Sequence, residues 1–200
     1  NSLSALEFQY SLQILTFGPF RVFYNGQEIS ATNWRTVKAR DIFAYLVHQD
    51  KPVSADQILE DLWPEFERQK ASAVFHTNLY YLRKLLNSFA EKDLIIYGSK
   101  RYQFRQESAF IDRKIFEDLS RSALKEPLTT LTVKRLEEAA QLYRDDYLTD
   151  LDYLWIIPVQ ESLKNLYFEV KSRLASYYME IKNYPRAINH LKQLMVAKPF

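Results

Sequence analysis

The sequence predicts an α+β domain followed by an all-α domain of helical hairpins, and two observations predict it. Short turn-punctuated runs of alternating polarity stand at both ends of residues 12–105 with helical periodicity between them, whereas residues 106–200 carry helical periodicity alone. The expected domains are 1–108 and 109–200.

Leu12 to Phe17 alternate and stop at Gly18-Pro19, which reads as a strand and a turn. Phe20 to Tyr24 read as a second strand, and Asn25-Gly26 is a strong hairpin signal that leads to a third at Gln27 to Ile29. The period then lengthens: Ile42, Phe43, Leu46 and Val47 give a helix from Lys38 to His48, ended by Lys51-Pro52. Ser54 and Gln57 have capping-box spacing and start a short helix that stops at Trp63-Pro64. A longer helix follows from about Gln69 to Phe89. Phe75, Leu79, Leu82 and Leu86 form its core stripe, so Ala73, Thr77, Tyr80, Tyr81 and Lys84 fall opposite, with His76 and Arg83 on the flanks. Leu94 to Tyr97 and Tyr102 to Arg105 flank Gly98-Ser99-Lys100-Arg101, a hairpin with a basic tip. Strands, three helices and a hairpin in this order make a winged helix-turn-helix.

In the second half, Asp112 is placed to cap a helix that runs to about Leu124 before Pro127. Val133 to Tyr147 reads as the next helix, with Leu136, Ala139, Ala140 and Tyr143 buried. Val159 to Ile181 and Tyr184 to about Ala197 complete the set. Leu174-Ala175, Tyr178, Ala187, Leu191, Leu194 and Pro199 match the pattern of the roughly 34-residue tetratricopeptide hairpin.

Composition narrows the chemistry. The chain has 200 residues, no cysteine and three glycines, which excludes thiolate zinc sites and disulfide scaffolds and gives a phosphate-cradling loop no seat. The absence of cysteine fits a cytoplasmic setting, and no apolar run reaches membrane-span length. The ends read as those of a piece of a longer protein. His48, His76 and His190 lack metal-ligand spacing, the acidic pairs Glu60-Asp61, Glu137-Glu138 and Asp145-Asp146 diverge on their helices, and no nucleophile elbow occurs, so neither an enzyme nor a cofactor is expected. Net charge is only +2, yet residues 68–105 hold eight basic groups against Glu91 and Asp93. Such an excess suits a polyanion, although it also suits a solvated face.

The runs Leu12 to Phe20, Val53 to Pro64 and Asn78 to Leu86 resemble the winged-helix domain of OmpR/PhoB-type regulators, and most closely that of SARP-type transcriptional activators. Leu142 to Leu148 with Trp155 resembles the bacterial transcriptional activator domain, with its tetratricopeptide-like repeats, that follows the winged helix in that family. The resemblance spans residues 12–200. It implies a bacterial, cytoplasmic activator that binds double-stranded DNA, as a homodimer on direct repeats, and contacts RNA polymerase. It also implies neighbouring modules, such as the receiver of a two-component response regulator. Carried over by position, Thr77, Tyr80 and Tyr81 face the groove, and Arg83 and Lys84 lie near phosphates or base edges. Lys100, Arg101 and Tyr102 form the wing tip, and Lys70 and His76 complete the expected DNA-binding set. Tyr80 and Tyr81 depart from the arginine found in many relatives, and tyrosine cannot make the bidentate guanine contact. Readout is then left to Thr77, His76 and Arg83, or to DNA shape. A protein-interaction module, with the winged helix as a docking domain, is the other reading of these residues.

Overall fold

The computed structural model describes residues 9–90 and 92–197; Glu91 and Pro199 of the expectations above lie outside them. The chain divides into two compact units, and two short segments cross a simple division of the sequence. The first unit takes Leu151–Trp155 along with Phe20–Phe110, and the second takes Leu15–Pro19 along with Ile111–Asp150 and Ile156–Phe200.

In the first unit β1 (Leu12–Leu15), β2 (Arg21–Tyr24) and β3 (Gln27–Glu28) join β7 (Ala109–Ile111) in a sheet of order β3-β2-β1-β7. Asn25 and Gly26, at φ 49° and 79°, turn β2 into β3 with Tyr24 opposite Gln27, as the dipeptide predicts. The strand β7 was not expected: three apolar residues carry no readable period. A second sheet has order β4-β6-β5, from β4 (Val53–Ser54), β5 (Ile95–Gly98) and β6 (Arg101–Phe104). Between the sheets in sequence come α1 (Val37–His48), α2 (Ala55–Leu62) and α3 (Arg68–Leu86). Thr36 caps α1 through the Ala39 amide, and its hydroxyl donates to the Asn78 side-chain oxygen on α3. Ser54 caps α2 through the Gln57 amide, but the Gln57 side chain donates to Asp61 instead of closing a capping box. Ile42, Phe43, Ile58, Phe75, Leu82 and Phe104 are fully buried and make the centre of this unit. The segment Leu151–Trp155 completes it. Tyr153 donates to Asp41 on α1 at 2.5 Å, and the Trp155 ring stands edge-on to Tyr45 at 5.3 Å.

The second unit holds α4 (Asp112–Lys125), α5 (Thr130–Leu142), α6 (Ile156–Glu180) and α7 (Tyr184–Ala197). Val133, Leu136, Val170, Leu174, Tyr178 and Ala187 form its core. Three expectations are corrected. The second helix of this half stops at Leu142, because the chain from Asp146 to Thr149 hydrogen-bonds with Thr16 and Gly18 instead. Asp112 does not cap its own helix. Fully buried, it accepts from the Thr16 amide (2.8 Å) and hydroxyl (2.6 Å) and from the Phe17 amide (3.2 Å), with Arg144 at 2.9 Å. Burial pushes its carboxyl up, against the pull of these donors and of Arg144. Leu191, expected in the hairpin seam, is 43% exposed.

Candidate nucleic-acid interface

The long helix α3 is divided by its own periodicity. Phe75, Leu79, Leu82 and Leu86 are all buried, at spacings of four, three and four. Ala73, Thr77, Tyr80 and Lys84 repeat the same spacings half a turn away and are exposed. Lys70 and His76 are exposed as well; the Lys70 ammonium lies 4.3 Å above the Phe66 ring. The two tyrosines part company. Tyr80 is 61% exposed, whereas Tyr81 is half-buried with the Arg35 guanidinium 4.2 Å above its ring. Arg35 was missed in the sequence: it precedes the cap of α1, and nothing local ties it to a residue 46 positions on.

The hairpin β5–β6 turns through Ser99 and Lys100, at φ 52° and 60°, with Gly98 opposite Arg101. Two consecutive left-handed residues give the turn whose twist matches the strands, and here neither is glycine. Lys100 and Arg101 are exposed, with the Arg101 guanidinium donating to the Pro52 carbonyl at 3.2 Å. Among the described residues no carboxylate lies within ion-pair distance of Lys84, Lys100 or Arg101.

Tyr102, expected at the tip, is 6% exposed: strand alternation puts it on the inner face with Phe104, packed on Phe75 and Tyr97. Burial raises its phenol pKa. Arg83 is also turned inward. Half-buried, it donates to the Ile95 carbonyl at 3.4 Å and sits 6.0 Å from the Tyr102 ring, so it braces the hairpin against α3. Arg83 and Tyr102 thus join helix to hairpin, while Lys70, His76, Thr77, Tyr80, Lys84, Lys100 and Arg101 are the members of the expected set that reach solvent. No group of three or more His, Asp or Glu suited to a metal ion occurs among the described residues. No helix there is long and apolar enough to cross a membrane.

No family model matches the sequence, and no curated protein matches it. Among solved structures the chain is similar to Mycobacterium tuberculosis EmbR in complex with low affinity phosphopeptide, with a TM-score of 0.78 and 20% identity. The match covers 95% of this chain and 51% of that one, so the chain spans about half the length of its structural neighbour. At this identity what is shared is the fold.

Proposed function

We propose that this chain is the DNA-binding portion of a transcriptional activator, with α3 as the recognition helix in the major groove and the β5–β6 hairpin as a wing on adjacent backbone or minor groove. The observation that carries the reading is the division of α3. Its buried stripe leaves an equally regular exposed stripe through Thr77, Tyr80 and Lys84, and the hairpin braced on the same helix ends in two cations without ion-pair partners among the described residues. A helix of this kind fits a B-DNA major groove, and unpaired cations are what phosphates replace counterions with.

In this reading Lys84, Lys100, Arg101 and Lys70 contact phosphates and fix register, while Thr77, His76 and the ring of Tyr80 meet base edges. Tyr81, Arg83 and Tyr102 act through the positions they hold. Members of the family the sequence resembles act as homodimers on direct repeats and engage RNA polymerase; we carry both partners over, together with a cytoplasmic setting, a non-enzymatic role and the 1–108 and 109–200 division. The test is retardation of a mixed-sequence duplex at low and moderate salt, with Lys84→Ala and Arg101→Ala beside the parent chain. Each variant weakens binding on all sequences and lowers the salt slope by about one unit. Salt-independent retention, or none at either salt, returns the chain to the protein-interaction reading.

A further inference from the structure

The second unit contains a cavity of about 800 Å³ lined from α5, α6 and α7. That size belongs to small-molecule sites, which run to roughly 300–1,000 Å³. Its lining carries charges of both signs, and most are already engaged. Glu137 accepts from Tyr178 at 3.0 Å and lies 3.2 Å from Nε2 of His190. Asp146 accepts from Tyr143 and from Lys164, and Arg144 is bound to Asp112.

Two buried side chains of the lining each keep a polar atom without a hydrogen-bond partner among the described residues. Lys171 is 4% exposed, and its ammonium has no hydrogen-bond acceptor among the described residues; the Tyr167 ring lies 5.7 Å away. Burial lowers its pKa, an effect only partly offset by the charge of Glu137. His190 is 5% exposed, and its Nδ1 is buried without a partner. The Lys171 side chain is buried along its length while its ammonium still reaches the cavity, where no acceptor among the described residues meets it. Neither group serves the proposed DNA surface, which lies wholly in the first unit. Lys171 is not a member of the apolar core, whereas the His190 ring stacks on Tyr178 of that core. Val170 and Leu174 on the same helix bury their side chains in the apolar cluster, while Lys164, Tyr167 and Lys171 follow at spacings of three and four along the cavity. The wall beside Lys171 is flat, since Tyr143 and Tyr167 stack at 4.4 Å and 16°.

We propose that this cavity binds a small molecule through an oxyanion, a carboxylate or a phosphoryl group, received by the Lys171 ammonium, with its body against Tyr167 and the His190 ring beside it.

Inorganic phosphate and citrate serve as probes of the two oxyanion sources. Each is titrated into the full chain at an ionic strength held constant with sodium chloride, and the thermal midpoint and the His190 imidazole resonances are followed. A saturable rise of the midpoint with a matching His190 shift supports the site; a response to phosphate alone assigns a phosphoryl ligand, and one to citrate alone a carboxylate. In Lys171→Met the apparent affinity for the probe, read from the dependence of the midpoint on probe concentration, falls at least tenfold. An unchanged affinity in that variant overturns the proposal. So does a parent chain whose His190 resonances answer neither probe saturably, a result that stands whether or not the variant folds.

Discussion

Replacing Asp112 with alanine probes the second unit at its most concentrated polar point. The carboxylate has no exposed surface; Oδ1 accepts from the Thr16 amide, the Thr16 hydroxyl and the Arg113 amide, and Oδ2 from Phe17 and Arg144. The charge itself contributes little net stability, because burial opposes it. Deleting it is another matter. The Arg144 side chain is 47% exposed and can return to water, but the amides of Thr16 and Phe17 lie on buried residues and lose their acceptor. At roughly 1–3 kcal/mol for each stranded donor, Asp112→Ala costs about 3–5 kcal/mol. With a urea dependence near ~2 kcal/mol/M, the midpoint falls by about 2 M. Thr16→Val, which removes one hydroxyl and keeps the shape, costs only about 1 kcal/mol. The assay separates the units by chromophore. Trp34, Trp63 and Trp155 all belong to the first unit, so tryptophan emission follows that unit while far-ultraviolet dichroism follows the helices of both. A loss below about 1 kcal/mol in the dichroism transition would show that water or a shifted backbone replaces the carboxylate, and would refute the reasoning.

Three further outcomes are expected. Thr77→Ala narrows the ratio of operator to random-duplex affinity by about 1–3 kcal/mol once a site has been selected from a random pool; equal loss on both duplexes removes Thr77 from base readout. Lys100→Gly relieves a left-handed lysine at φ 60° and leaves thermal stability level or higher by up to about 1 kcal/mol, yet lowers the salt slope of duplex binding; a stability loss beyond 1 kcal/mol would show that the side chain holds the turn. Alkaline unfolding is expected too. Burial, chiefly, and hydrogen bonds to Asp61 and Asp41 raise the pKa values of Tyr45 and Tyr153. A phenol whose folded pKa exceeds its unfolded value of about 10 contributes stability that is whole below that value and drains away above it. Ultraviolet titration of tyrosinate should therefore show these two phenolates appearing only as the chain unfolds; their reversible ionisation in the folded state near the ordinary pKa would contradict the burial.

What the sequence displayed depended on range. Period and punctuation are local, so the helix α3, its two stripes and the Asn25-Gly26 turn were all readable from neighbours. Two- and three-residue strands such as β4 and β7 are too short for any period to show, and only their partners make them strands. Asp112 had the right residue type and place for a cap, but its true partners lie 95 and 96 positions away. Tyr102 is different. The alternation of Arg101, Tyr102, Gln103 and Phe104 places it beside Phe104 on the inner face, so its burial was legible and the pull of the resemblance toward a longer wing tip hid it. Arg35 over Tyr81, and Lys171 without an acceptor, are facts of assembly that no local pattern announces.

The same distinction governs how the basic stretch should be counted. Eight cations between residues 68 and 105 suggest a strongly salt-dependent surface, yet several are already committed. Arg68 pairs with Asp56, Arg83 spends its guanidinium on the Ile95 carbonyl, and Arg105 donates to the Asp93 carbonyl. The four residues proposed as phosphate contacts on the helix and wing, Lys70, Lys84, Lys100 and Arg101, have no ion pair among the described residues. Four phosphates neutralised give a slope near −3.6, or about a 150-fold loss of affinity for a fourfold rise in salt. A single chain with so few free cations gains little from steering alone, and a second copy bound to an adjacent repeat doubles the slope while turning two weak contacts into one tight one. Pairing on direct repeats, as proposed above, would offset the small number of free cations on the proposed surface.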